Sequence, residues 1–159
     1  MPCASLVLDT PLGPLRLVSD GEAIVEAAFD GAPLPNSHPE ADAVLDAAAA
    51  ELRAYFDGEV VAFTVPVRPA GTPFQERVWA ALCEIPHGVT TSYGAIAARL
   101  GDPKASQAVG AANGQNPVAV LVPCHRVVGA DGALTGYAGG LERKRALLAL
   151  ESRQTSLFG

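Results

Sequence analysis

The chain has 159 residues, 49% hydrophobic and 18% charged, with a formal net charge of −6. That apolar share is enough to bury a core and excludes a disordered tail, and the acidity argues against a nucleic-acid binder, whose usual footprint is basic. The charge is unevenly spread, however: residues 1–70 hold 3 Lys+Arg against 11 Asp+Glu, a net of −8, and residues 71–159 hold 8 against 6, a net of +2.

In chain order, three short β-type stretches come first, at residues 5–8, 15–19 and 24–29. Gly and Pro punctuate them at 11–14, 20–21 and 30–31, which predicts a small antiparallel meander. A Pro-rich loop follows at 32–39. Ala41, Val44, Leu45, Ala48, Leu52, Tyr55 and Phe56 recur at close to helical spacing and predict a helix over 40–56, ended by Asp57-Gly58. The β-branched run 60–67 predicts a further strand, and residues 68–71 mark a boundary between two lobes. Thr72-Pro73-Phe74-Gln75 is a helix start with Thr as N-cap, Pro in the first turn and Gln three residues on. That helix carries Val78, Trp79, Leu82, Cys83 and Ile85 and stops at Pro86, with Cys83 expected in the core. Two short helices follow, 93–100 and 103–112, joined by Gly101-Asp102 and closed by Asn113-Gly114; the pair matches a helix-turn-helix. Residues 118–122 read as a short buried strand. After a Gly-rich loop at 136–140, a last helix spans 141–151, and a loosely held tail is expected from 152. The fold class expected is α+β: an N-terminal lobe of antiparallel sheet plus helix over 1–70, and a mostly helical lobe over 71–159.

No apolar run approaches the roughly 18 residues of a membrane span, and the first ten residues lack the pattern of a secretory leader. Cys3, Cys83 and Cys124 form no CxxC pair, and Cys3 with His38 cannot make a metal site, so the expectation is a cytoplasmic protein with reduced thiols and no metal.

The stretch that points to chemistry is Pro123-Cys124-His125-Arg126-Val127. A thiolate is a strong nucleophile, and an adjacent base can generate it. A lone Cys-His pair is more often a buried structural cysteine beside a surface histidine. Glu151 adds weight, because it follows Leu147 and Leu148 by four and three residues and so shares their helix face. A carboxylate on an apolar stripe usually has a partner, and a histidine is a natural one; Cys124, His125 and Glu151 would then form a relay. On a strand, Cys124 and His125 would point to opposite faces, so the relay needs a turn or a bridging water. Arg143-Lys144-Arg145 opposes the dipole of its helix, which an approaching phosphate would relieve.

These residues resemble the active-site signature of the methylated-DNA–protein-cysteine methyltransferases, the 6-O-alkylguanine repair proteins. Thr91-Ser92-Tyr93, Ala108-Val109-Gly110-Ala111, Asn116-Pro117 and Tyr137-Ala138-Gly139-Gly140-Leu141 occur in the family's order and spacing, over residues 72–151. The first 70 residues resemble the family's N-terminal lobe only in size and in β-then-helix order.

The resemblance implies a methylated-DNA–[protein]-cysteine S-methyltransferase that acts once and inactivates itself, without cofactor or metal, on double-stranded DNA carrying alkylated guanine. A monomer is expected. Cys124 would accept the alkyl group. His125, through a water, would take the thiol proton, with Glu151 orienting it and Asn116 bracing the turn. Tyr93 would donate to the purine ring nitrogen. The Ala138 amide would meet the guanine oxygen, and the Cys124 and Val127 carbonyls would accept from the exocyclic amine. Tyr137 and Thr135 would help form the pocket, with Ala119 near it. The second helix of the pair would enter the minor groove, with Lys104, Ser106, Gln107, Ala108, Arg126 and Arg143 toward DNA. Many relatives carry Arg where this chain has Gln107, so weaker lesion extrusion is expected.

Three alternatives remain at this level. A non-enzymatic lesion binder would usually lack the reactive cysteine. A helix-turn-helix regulator would offer more base-reading side chains on its second helix. A cysteine hydrolase would show a different motif order.

Overall fold

Alternation of buried and exposed side chains builds the N-terminal sheet. The computed structural model describes residues 4–34, 42–59, 62–134, 137 and 139–158, with side chains through Ser152 in the last stretch. Strands β1 (Ala4–Thr10), β2 (Gly13–Ser19) and β3 (Ile24–Phe29) form a three-stranded antiparallel sheet in sequence order. The register pairs Leu8 with Leu15 and Leu6 with Leu17. Leu8, Leu15, Leu17, Ile24 and Ala27 are buried. The expected meander is present.

Helix α1 (Ala43–Phe56) covers this sheet, contacting all three strands. Its N-cap is Asp42, whose carboxylate accepts from the Leu45 N–H at 2.9 Å, so the helix begins after the expected residue 40. Leu45, Ala48, Ala49, Leu52 and Tyr55 form its buried face. Leu45 and Leu52 are fully enclosed, and each such burial contributes about 1.5–3 kcal/mol.

The strand expected over 60–67 is not found in its described part, from residue 62. Val67 makes a single parallel bridge to Ile24, with Ile24 N–H donating to Pro66 O and Arg68 N–H to Ile24 O, both at 2.8 Å. Pro66 has no N–H to continue a ladder.

Helix α2 (Pro73–Leu82) starts on the expected capping box of Thr72 and Gln75. It ends at Leu82, earlier than expected, and Ile85 is buried in the turn beyond it. Cys83 caps the helix and is exposed, not in the core. Helix α3 (Tyr93–Arg99) is capped by Ser92. It ends in a Schellman arrangement, with Asp102 N–H on Ala97 O and Gly101 N–H on Ala98 O, both at 3.0 Å. Helix α4 (Ser106–Gly114) begins three residues later than expected. Ala105 N–H donates to Asp102 O at 3.0 Å, which closes a turn with Pro103 in its favoured second position. Asp102 and Pro103 therefore end in a turn instead of starting the helix, and Asn113-Gly114 lies inside its last turn.

Residues 118–122, expected as a strand, are a chain of turns touching β3 through one Ala27–Val118 bridge. A 3-10 turn, Cys124–Arg126, leads into β5 (Val127–Val128), which pairs in parallel with β4 (Thr91–Ser92). Helix α5 (Leu141–Phe158) runs through the segment expected to be a loose tail. One buried cluster extends from Leu8 and Leu45 through Tyr55, Trp79 and Val109 to Cys124 and Leu147. Among the described residues, no helix is long and apolar enough to cross a membrane.

Candidate active site

The segment between α4 and β5 is held by side chains, since it has almost no ladder of its own. Asn116 is buried, and its Nδ2 donates to Val118 O at 3.2 Å and Val122 O at 2.9 Å. Its Oδ1 accepts from Val118 N–H at 3.0 Å. These bonds hold Val120 at φ +69°, a conformation costly for a β-branched residue. Asn116 thus braces the turn before the cysteine. Asn113 Nδ2 donates to Cys124 O at 3.2 Å, and the Val127 N–H donates to the same oxygen. That carbonyl thus accepts two hydrogen bonds from the chain itself.

The 3-10 turn puts Cys124 and His125 both in the interior, at 3% and 0% exposure. His125 Nε2 and Glu151 Oε2 are 2.6 Å apart. The same carboxylate takes a two-point contact from Arg126, Nε to Oε1 at 2.9 Å and Nη2 to Oε2 at 3.0 Å. Burial alone would raise the Glu151 pKa, but His125 and Arg126 outweigh it and hold the carboxyl well below its usual range. Burial lowers the His125 pKa against the pull of Glu151. The consistent assignment is a neutral imidazole donating from Nε2 to an ionised carboxylate. Its Nδ1 is then the basic nitrogen, buried and without a hydrogen-bond partner among the described residues. Burial pushes the Cys124 thiol up to about 11, with Asn116 and the Lys144 charge opposing. The resting thiol is neutral, and its reactivity depends on a base.

Tyr93 opens α3, facing the start of α5. Lys144 Nζ donates to Tyr93 OH at 3.5 Å and lies 5.9 Å from its ring centroid. Tyr137 is buried, and its hydroxyl has no partner among the described residues. Gly139 is forced by crowding, since a Cβ there would fall 2.7 Å from the Tyr137 ring and 3.1 Å from Phe29. Val127 is buried and paired with Thr91. Thr135 and Ala138 lie outside the described residues, as do Cys3 and His38.

The expected DNA-facing residues divide. Gln107 and Ala108 are exposed on α4, Ser106 is half-buried, and Lys104 is exposed in the preceding turn. Arg126 and Arg143 are elsewhere. Arg126 is buried on Glu151 and on Ile85 O, 2.7 Å from Nη1. Arg143 turns to the N-terminal sheet. It bonds both oxygens of Asp30, at 2.9 and 2.8 Å, and Leu12 O at 2.9 Å, and covers the Phe29 ring. In this structure each guanidinium is paired with a carboxylate, Arg126 with buried Glu151 and Arg143 with exposed Asp30.

Three residues at the site carry no mark of that placement in the sequence. Lys144, in the cationic run 143–145, is buried, and its spacing of three to Leu147 and seven to Glu151 puts it on their face. Asn113 looked like a helix stop. Tyr55 looked like one more apolar position of α1, but its hydroxyl donates to Glu151 Oε2 at 2.6 Å. Among the described residues, no group of three or more His, Cys, Asp or Glu could hold a metal ion.

Comparison with known proteins identifies the family over most of the chain. Residues 73–153 match the family model of the 6-O-methylguanine DNA methyltransferase DNA binding domain, and residues 5–69 that of its ribonuclease-like domain. A methylated-DNA–protein-cysteine methyltransferase of Methanosarcina acetivorans is 48% identical over 91% of this chain and 96% of its own length. One of Mycobacterium tuberculosis is 48% identical over 91% and 89%. The crystal structure of an O6-methylguanine methyltransferase of Mycobacterium tuberculosis superposes with a TM-score of 0.83 at 43% identity, covering 99% of this chain and 100% of that one. A structure of the Mycobacterium tuberculosis protein in complex with DNA gives a TM-score of 0.83 at 45% identity, over 96% and 93%. Identity of this extent over nearly the full length of both partners places the chain among the methylated-DNA–protein-cysteine methyltransferases, a family of DNA-repair enzymes.

Proposed function

We propose that the chain repairs duplex DNA by moving a methyl or larger alkyl group from 6-O-alkylguanine onto its own Cys124, once per molecule. The observation that carries this reading is the buried Cys124 beside a His125–Glu151 contact of 2.6 Å. In the step, the Cys124 Sγ–carbon bond forms as the carbon–oxygen bond of the lesion breaks. The thiol proton passes through a water to His125 Nδ1. Guanine leaves as an anion and takes a proton at its ring nitrogen from Tyr93. Lys144, beside both Tyr93 and Cys124, stabilises the negative charge that each develops. The product is a thioether, and nothing in the scheme removes its alkyl group, so the protein is consumed.

Asn116 keeps the turn that presents Cys124. The Val127 carbonyl accepts from the exocyclic amine, the Ala138 amide meets the guanine oxygen, and Tyr137 and Thr135 wall the pocket. A base inside a duplex hides its alkyl oxygen, so the nucleotide is flipped out. Helix α4, with Ser106, Gln107, Ala108 and Gly110, is small enough in its side chains to enter the minor groove, which carries little sequence code and suits repair in any context. Lys104 adds a phosphate contact. The partner is double-stranded DNA carrying alkylated guanine. The protein works as a cytoplasmic monomer of two lobes divided near residue 70, the second carrying the chemistry.

Incubation with a duplex containing 6-O-methylguanine adds one methyl mass to Cys124, and Cys124→Ser takes up none. Binding of that duplex with no mass change under reducing conditions would place the chain instead with the non-enzymatic lesion binders.

A further inference from the structure

The Glu151 carboxylate receives more hydrogen bonds than a histidine relay needs. Oε2 accepts from His125 Nε2 at 2.6 Å, Arg126 Nη2 at 3.0 Å and the Tyr55 hydroxyl at 2.6 Å. Oε1 accepts from Arg126 Nε at 2.9 Å and, at 3.4 Å, from the Gly88 N–H. Tyr55 belongs to α1, in the N-terminal half, 96 positions from Glu151. It is fully buried, and its ring is fixed by Phe56, Phe63 and His87 at centroid distances of 5.1, 5.4 and 5.8 Å.

We propose that Tyr55 is a positioning residue for the alkyl transfer: its hydroxyl, acting through Glu151, fixes the direction of the His125 ring and restrains the basicity of that imidazole. The inference rests on the relay described under Proposed function and extends it to the N-terminal half of the chain.

The argument is one of shared charge. An acceptor oxygen that serves three donors pulls less on each of them. With the Tyr55 hydroxyl present, Oε2 gives less of its charge to the Nε2 proton, and the imidazolium form of His125 gains less. Only the neutral ring has a lone pair at Nδ1 for the thiol proton. The other ionisable groups around the relay come from every neighbouring element: Cys124 and Arg126 from the 3-10 turn, Lys144 from α5, Tyr137 from the loop before it, and His87 from the turn after α2. Arg126 and Lys144 disfavour imidazolium by like charge, and Glu151 favours it. The tyrosine moderates the favouring group. Mounting that donor on a packed helix keeps its direction fixed, because Leu45 and Leu52 anchor α1 in the core.

The test is the single-turnover rate of Cys124 alkylation in the full chain, followed from mildly acid to alkaline pH. Tyr55→Phe keeps the ring and removes only the donor. Its acid limb moves to higher pH, so the rate falls about threefold at the acid end and is equal or higher at the alkaline end, as expected if Oε2 pulls harder on the imidazole. Ring-fluorinated tyrosine at position 55, a stronger donor of nearly the same size, moves the limb the other way. In a Glu151→Gln background, Tyr55→Phe has no further effect. A loss of equal factor at every pH, superposable profiles, or the same effect in both backgrounds would each overturn the inference while leaving the relay reading intact. Absence of any Cys124 adduct in the unsubstituted protein would overturn that reading, and this inference with it.

Discussion

Arg126 and Glu151 form a two-point ion pair sealed from solvent, Nε to Oε1 at 2.9 Å and Nη2 to Oε2 at 3.0 Å. The third guanidinium nitrogen is spent on the Ile85 carbonyl at 2.7 Å. Together these contacts tie the 3-10 turn that carries Cys124 to helix α5 and to the turn after α2. Arg126 therefore braces the Cys124 turn from behind, through the Glu151 carboxylate.

Removing one partner of such a pair strands a buried charge. Arg126→Ala lowers folding stability by about 3–5 kcal/mol, read from denaturant midpoints at neutral pH. Arg126→Lys falls between the two, because an ammonium keeps the charge but cannot make the forked contact. A midpoint for Arg126→Ala close to that of the unsubstituted protein would mean that Glu151 finds another partner.

Gln107 is exposed near the start of α4. An amide can stack and hydrogen-bond to an orphaned base but attracts no phosphate. Gln107→Arg tightens binding to lesion duplex and raises the transfer rate at limiting protein, and the salt dependence of binding steepens by about one phosphate equivalent. Equal affinities and rates for the two proteins would show that residue 107 does not contact DNA.

Local signals in the sequence reach the elements whose ends carry their own chemistry. The Thr72-Pro73-Gln75 box and the Gly-punctuated meander are such cases, and α2 and the sheet start where those residues place them. Residues 62–67, the described part of the run 60–67, and residues 118–122 mislead, because β-branched content favours extension but says nothing of whether a neighbouring strand is there to pair. Pro66 and the Asn116 bonds decide both segments against a ladder. In the site, the Glu151–His125 contact is legible because Glu151 sits on an apolar stripe. Tyr55 is not, since a tyrosine on a buried face reads as bulk until its hydroxyl is given a partner from across the chain. Arg126 and Arg143 look like DNA contacts for the same reason: charge is visible in a sequence, but the carboxylate that consumes it is 25 or 113 positions away.

That reassignment of Arg143 has its own measurable consequence. Each cation on a phosphate adds about 0.9 to the slope of log K against log salt. Arg143→Ala leaves the slope for duplex DNA unchanged, because its guanidinium is held by Asp30, Leu12 O and Phe29. Lys104→Ala makes the slope shallower by about 0.9, the contribution of one phosphate contact. A shallower slope for Arg143→Ala would mean that the Asp30 contact opens when DNA binds.

The relay also sets how the fold responds to acid. His125 titrates near 6.5 when unfolded and lower in the fold, chiefly because burial opposes its charge. Below that value the unfolded chain takes up a proton that the folded chain refuses, so stability is complete above 6.5 and declines as pH falls beneath it. Glu151 follows from its ordinary value of 4.5, since the folded carboxyl, held down by His125 and Arg126 against burial, stays ionised to much lower pH. Its contribution is complete above 4.5 and is lost in more acid solution. The two declines add in the same direction, one beginning where histidines titrate and the other where carboxylates do, each with a limiting slope of about 1.4 kcal/mol per pH unit. Denaturant midpoints measured down this range for the unsubstituted protein and for His125→Gln separate them. The variant is flatter just below 6.5, where the His125 proton no longer contributes, and its lower decline is also reduced, because Glu151 loses the partner that chiefly holds its carboxyl down. Parallel curves over the upper interval would mean that His125 is already charged in the fold, with no lone pair left at Nδ1.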